Sequence, residues 1–206
     1  KSKLVRVGTS AFQDCSSLQQ FNITDQVQVI NNNAFKRCYN LANVPIHSTN
    51  LKLNRLGISV FEDCSKITGF RIPDKVLTIG SQCFSGCLQL TDVSFVSQNC
   101  DMSLIEQSTF EGCTNLRSVQ INDNITSIGN KAFFGDIRLT DISINEASDL
   151  SYIGANAFEN CNISSFYVTE NIRLVDGNAF KGNNFLENVS INNDYLLSRN
   201  QIDDGI

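Results

Sequence analysis

The stretch Phe84-Ser85-Gly86-Cys87-Leu88-Gln89-Leu90-Thr91-Asp92-Val93-Ser94-Phe95 decides the architecture, because its spacing recurs along the chain. An aromatic anchor is followed at +3 by a cysteine, at +6 by a leucine, and then by apolar–polar alternation. Outward from Phe84 the anchor recurs at Phe12, Phe35, Phe61, Phe110, Phe133, Phe158 and Phe180, with successive gaps of 23, 26, 23, 26, 23, 25 and 22 residues. The leucine position becomes Leu18, Leu41, Ile67, Leu116, Leu139 and Leu186 in the other units, and Ile163 comes one residue early in the seventh. Alternating pairs follow it, such as Phe70 and Ile72, Val119 and Ile121, or Phe166 and Val168. A period of two over a short run predicts a strand with one buried face. A second apolar pair (Val27 and Ile30, Val76 and Ile79, Ile125 and Ile128) and a residue such as Gly80, Gly129 or Gly154 lead into the next anchor.

A unit of this length has an apolar face on both sides and no partner of its own for either. Stacked copies cover each other and share strand hydrogen bonds, so the array folds where one unit does not. Summed in pairs the gaps give 49, 49, 49, 49, 48 and 47, which points to a doublet as the repeating unit. The extra residues of the longer units fall after the strand, in 47–55, 97–104 and 145–150, and make one looped edge a candidate for recognition.

The unit Ile-Gly-x-x-Ala-Phe-x-x-Cys-x-x-Leu is clearest in Ile128-Gly129-Asn130-Lys131-Ala132-Phe133 and in the stretch that opens at Phe84. It resembles the BspA-like leucine-rich repeat family over residues 4–192. The resemblance implies a mainly β repeat solenoid, a right-handed leucine-rich-repeat-type coil of about eight turns of 22–26 residues, as one unit over residues 1–206. It also implies a surface or secreted adhesion protein whose partners are host extracellular-matrix or surface proteins, with self-association as an alternative. One departure is that Pro follows the strand only at Pro73, where the family often has it in most repeats.

Composition narrows the classes further. The formal net charge of -5 and the pI near 4.8 argue against a nucleic-acid partner. No run of 18 apolar residues is present, so no membrane insertion is expected in this segment. The chain opens without a charged-then-apolar leader and ends abruptly, which reads as a piece of a longer protein. Four sequons, at Asn22, Asn124, Asn162 and Asn188, are what an Asn-, Ser- and Thr-rich chain carries by chance.

Six of the eight cysteines share one register position, Cys15, Cys38, Cys64, Cys87, Cys113 and Cys161, with Asp136 and Asn183 standing there in the other two units. A shared register predicts a structural column of reduced, buried thiols, with pairing between adjacent rungs as the alternative. Cys83 replaces an alanine and is expected in the core, whereas Cys100 reads as an off-register loop cysteine and is the one to test for reactivity. No CxxC occurs and the single His47 has no spaced partner, so neither a metal site nor a cofactor is expected. Nucleophilic catalysis wants a base beside the nucleophile. His47 is the sole histidine and falls on an exposed strand position, and Asp63, Asp92, Glu111 and Asp141 are scattered, so no enzyme is expected.

Residues between the buried strand positions point outward, which defines a candidate partner-binding face. It comprises Asn22, Asn43, Arg71, Asp92, Ser94, Gln120, Asp141, Ser143, Tyr167 and Ser190, with a third outward row at Thr24, His47, Pro73, Val96, Asn122, Asn145, Thr169 and Asn192. Hot spots favour Tyr and Arg, so Tyr167 and Arg71 are the expected anchors. Two functions remain open at this point: an extracellular or cell-surface recognition module, and a cytoplasmic scaffold or signalling adaptor on the same coil.

Overall fold

The polypeptide winds through the same path about eight times in the computed structural model, which describes residues 3–46, 51–95 and 100–191. In chain order the strands are β1 (Arg6–Val7), β2 (Val29–Ile30), β3 (Arg55–Leu56), β4 (Gly69–Ile72), β5 (Thr78–Ile79), β6 (Asp92–Phe95) and β7 (Leu104–Ile105). They continue with β8 (Ser118–Ile121), β9 (Ser127–Ile128), β10 (Asp141–Ile144), β11 (Tyr152–Ile153), β12 (Ser165–Val168), β13 (Leu174–Val175) and β14 (Asn188–Ile191). Each turn of the coil runs from a two-residue strand through the aromatic turn into the longer alternating segment. Every strand pairing is parallel, and no helix occurs among the described residues. This is the parallel solenoid the repeat spacing predicts.

The aromatic anchors hold the coil together. Phe12, Phe35, Phe61, Phe84, Phe110, Phe133, Phe158 and Phe180 stack in one column, with successive ring centroids 5.1–5.5 Å apart. That separation is close to the strand spacing of about 4.8 Å, so rings can follow the backbone pitch without strain. Phe21, Phe70 and Phe166 enter from the longer strands and wedge against this column at tilts of about 50°. Val60, Cys83, Ala34, Ala132, Ala157 and Ala179 precede the anchors and are fully buried, which explains the small residue there.

Backbone hydrogen bonds run along the same column. The amides at anchor −2, 0 and +2 donate to carbonyls of the next turn, as in Asn33 N to Ile58 O (2.9 Å), Phe35 N to Val60 O (2.9 Å) and Arg37 N to Glu62 O (2.8 Å). To present those amides the chain adopts positive φ at both flanking positions, for example at Asn33 (58°), Arg37 (59°) and Gly86 (72°). Asn, Asp and Gly tolerate that region best, which accounts for Asp14, Asp63, Gly112, Gly135, Asn160 and Gly182 at anchor +2.

The doublet period appears in the longer strands. They pair in twos, β4 with β6, β8 with β10 and β12 with β14, and the first two turns are joined by the bridges Gln20–Asn43 and Ile23–Ile46. The short strands instead make two four-stranded sheets, β1-β2-β3-β5 and β7-β9-β11-β13. A seam therefore separates each doublet from the next on the longer-strand side, whereas the short-strand side is interrupted once, between β5 and β7.

Two expectations are corrected at the corner after the longer strands. The third row turns inward at four of its described positions, Asn122, Thr169 and Pro73 being buried and Thr24 half-buried, while Asn145 stays exposed as expected. The chain bends there to begin the next short strand. The carbonyls of Pro73, Asn122 and Thr169 accept the amides three residues on, a turn that takes these side chains off the flat face. Cys100 is also buried, its Sγ 3.7 Å from the Val76 carbonyl and 3.9 Å from that of Pro73. In the doublet register it matches Leu51 and Ser148, both buried, and the three extend one corner column with Pro73 and Asn122. A single-turn register hides that equivalence, because only alternate turns carry the extra residues.

Candidate protein-recognition face

Two outward rows cross the longer strands. The first holds Gln20, Asn43, Gly69, Asp92, Ser118, Asp141, Ser165 and Asn188, all exposed. The second holds Asn22, Pro45, Arg71, Ser94, Gln120, Ser143, Tyr167 and Ser190, of which Pro45, Ser94 and Tyr167 are half-buried and the rest exposed. Pairing fixes their neighbours: Arg71 faces Ser94, Gly69 faces Asp92, Gln120 faces Ser143, Ser118 faces Asp141 and Tyr167 faces Ser190. The structure thus brings every proposed face residue onto one surface, but as four pairs of strands and not as one continuous sheet. Local hydrogen bonds already hold some of them, Gln20 Nε2 to Asn22 Oδ1 (2.6 Å) and Ser143 Oγ to Asp141 Oδ2 (3.4 Å). Arg71 is the sole cation of the two rows and pairs with no carboxylate among the described residues. His47, Val96 and Asn192 of the third row, with the loop residues 47–50 and 97–99, lie outside the described residues.

Beneath this face runs the cysteine column. Cys38, Cys64, Cys87, Cys113 and Cys161 are buried, and each thiol donates to the carbonyl of the anchor phenylalanine one turn back. The distances are 3.0 Å to Phe12 O, 3.1 Å to Phe35 O, 3.2 Å to Phe61 O, 3.2 Å to Phe84 O and 3.1 Å to Phe133 O. Asn183 does the same with its amide, Nδ2 lying 2.8 Å from Phe158 O. Burial pushes the Cys38 thiol up to about 11 and the deeper thiols higher still, so these sulfurs stay protonated donors. Cys15 departs from the expected column: it is exposed, whereas the five rungs that follow it are buried. Exposure, and not register, makes Cys15 the accessible thiol where the sequence pointed to Cys100.

Asp136 occupies the same rung in the sixth turn and is fully buried, yet neither carboxyl oxygen has a hydrogen-bonding partner. Burial holds its carboxyl well above the usual carboxylate range. The Cys113 and Gly112 amides pull the other way and the Glu111 charge adds to the rise. The sequence showed the substitution but not its consequence, since only packing removes water from the site.

Among the described residues no group of three or more His, Cys, Asp or Glu side chains gathers as a metal would need, and no helix is long and apolar enough to cross a membrane. Residues 1–103 and 103–202 both match the family model for the BspA type leucine rich repeat region, in six copies. The chain belongs to the BspA-type leucine-rich repeat family. Solved leucine-rich repeat proteins share the coil. One from Eubacterium ventriosum superposes with a TM-score of 0.70 at 24% identity, over 81% of this chain and 43% of its own. One from T. pallidum gives 0.65 at 25% identity, over 77% and 70%, and one from Bacteroides ovatus gives 0.64 at 19%, over 92% and 59%. This BspA-type chain therefore spans 59% of the Bacteroides ovatus protein's length. No curated protein matches its sequence. A BspA-type coil of this kind is a protein-interaction repeat module.

Proposed function

We propose that the chain is the non-enzymatic recognition module of a cell-surface or extracellular adhesion protein, and that it binds protein partners through the two outward rows of its longer strands. The observation that carries this reading is the face itself. Twelve positions on paired parallel strands and four on the two bridged turns before them present mostly uncharged hydrogen-bonding side chains, with a single exposed arginine and one half-buried tyrosine as anchors. Tyr and Arg are the residue types from which binding hot spots are built. A surface so poor in aromatic anchors binds weakly at each site, and display of many copies on one cell strengthens it.

Capture of extracellular-matrix and surface proteins by the purified chain, beside an Arg71→Ala/Tyr167→Ala double variant, tests the proposal. Specific capture that the double variant loses is the expected result. Capture that survives the double substitution would move recognition to the looped edge. Absence of capture from matrix and surface proteins would overturn the adhesion reading in favour of an internal scaffold.

A further inference from the structure

The strand face is not flat. At the seam between the first two doublets it opens into a hollow of about 310 Å³, bordered by Asn43, Pro45, Gly69, Arg71 and Asp92. Two features make this hollow. No backbone hydrogen bond joins residues 42–46 to β4, because pairing on this side stops at the doublet. Position 69 also carries no side chain, and it is the only glycine in either outward row.

The backbone does not require glycine at 69. A Cβ there would meet its nearest outside atom, Asp92 O, at an ordinary 3.5 Å, and the residue is not in the left-handed region. At Gly129, by contrast, a Cβ would run into Gln107 N at 2.7 Å, so that glycine is demanded by packing. Gly69 therefore leaves space on the surface that the fold has no need to leave.

Polar groups surround that space. Thr68 O accepts the Thr91 amide, so in the alternation of a parallel ladder it is the Gly69 and Arg71 amides that face the open seam. Arg71, which pairs with no carboxylate among the described residues, and Asp92 both line the hollow. At a rise of about 3.3 Å per residue and about 4.8 Å between strands, their Cα atoms are about 8 Å apart.

We propose that this hollow receives an extended segment of the protein partner that carries an acidic and a basic residue at positions i and i+2. The acidic side chain meets Arg71 and the basic one meets Asp92. Alternate residues of an extended strand point the same way about 6.6 Å apart, which suits the spacing of Arg71 and Asp92. Charge complementarity of both signs rejects a segment that is purely acidic or purely basic, since one end then meets a like charge. The inference rests on the strand face being the binding surface and adds the chemistry of what binds at one point on it.

The test is an amide-resolved NMR titration of the whole chain with the acetylated, amidated pentapeptide Ser-Glu-Ser-Lys-Ser and with its analogue carrying glutamine at both charged positions. The expected result is saturable shifts of the Gly69, Arg71 and Asp92 amides with the charged peptide. Arg71→Glu weakens them about three- to tenfold, the span of one exposed charge pair, and added salt shrinks the difference. The variant R71E/D92K exchanges the two charges, and with the exchanged peptide Ser-Lys-Ser-Glu-Ser it recovers the binding that R71E loses with the original peptide. Equal shifts with the neutral peptide, no shift at these three amides, or no recovery in the exchanged variant would overturn the proposal. Shifts confined to Gln120, Ser143 and Tyr167 would also overturn it while leaving the strand-face reading intact, and that reading stands or falls on the capture experiment.

Discussion

Cys113 and Asp136 occupy the same rung of the coil one turn apart, and they meet the same kind of backbone with different chemistry. The Cys113 thiol lies 3.2 Å from the Phe84 carbonyl, whereas the carboxyl oxygens of Asp136 find no partner. A buried thiol costs little to desolvate and donates at any ordinary pH. A carboxyl can donate from that position, by register toward Phe110 O, only while it holds its proton. The column therefore requires a hydrogen-bond donor, which five buried cysteines and Asn183 supply unconditionally and Asp136 supplies conditionally.

The column common to both turns gives the largest expected effect. Phe84→Ala opens a cavity between two stacked rings and should cost about 3–5 kcal/mol in denaturant melts, with fraying of the adjacent turns. A harmless Phe84→Ala would mean that the anchors do not carry the coil. Asp136→Asn comes next, and its sign is opposite. Because burial raises the proton affinity of Asp136 in the folded chain above that of the unfolded chain, its contribution is most favourable below the ordinary carboxylate range. That contribution is lost as pH rises through the folded-state value. Asparagine donates as Asn183 does, so the variant should gain about 1–3 kcal/mol at pH 8. It should gain little at pH 4, which flattens the stability–pH profile. Equal profiles for the variant and the parent chain would show that the carboxyl is solvated after all. Cys113→Ala removes one donor and a small buried volume and should cost about 1–2 kcal/mol at every pH. A pH-dependent cost there would erase the contrast between the two rungs.

Two smaller effects sharpen the picture at the surface. Alkylation of the folded chain followed by peptide mapping should modify Cys15 first and leave Cys100 and the five buried rungs largely unlabelled. Rapid labelling of Cys100 would mean that the corner column opens. Arg71→Ala should leave the melting curve within about 0.5 kcal/mol of the parent while weakening partner capture.

Spacing alone sufficed for the repeat, the phenylalanine column and the buried sides of the longer strands, because each is a local periodicity that any packed copy must obey. Phe70, Val119 and Phe166 lie inward and Arg71, Gln120 and Ser143 lie outward, as alternation requires. The candidate face was legible for the same reason in its first two rows and failed in the third at Thr24, Pro73, Asn122 and Thr169, though not at Asn145. Pro73, Asn122 and Thr169 continue the alternation in sequence but sit where the chain turns, and a turn reassigns the direction of a side chain.

Other properties were decided only by the assembled coil. Whether a cysteine is exposed is set by packing and not by register, which separates Cys15 from Cys38 although both hold the same position in the repeat. Cys100 became a core residue through the doublet corner, and the seam beside Gly69 exists because pairing stops at the doublet. The state of Asp136 follows from the exclusion of water by neighbouring turns. A sequence period fixes what repeats along the chain, while burial and the ends of pairing are set by contacts between turns, which the period alone does not contain.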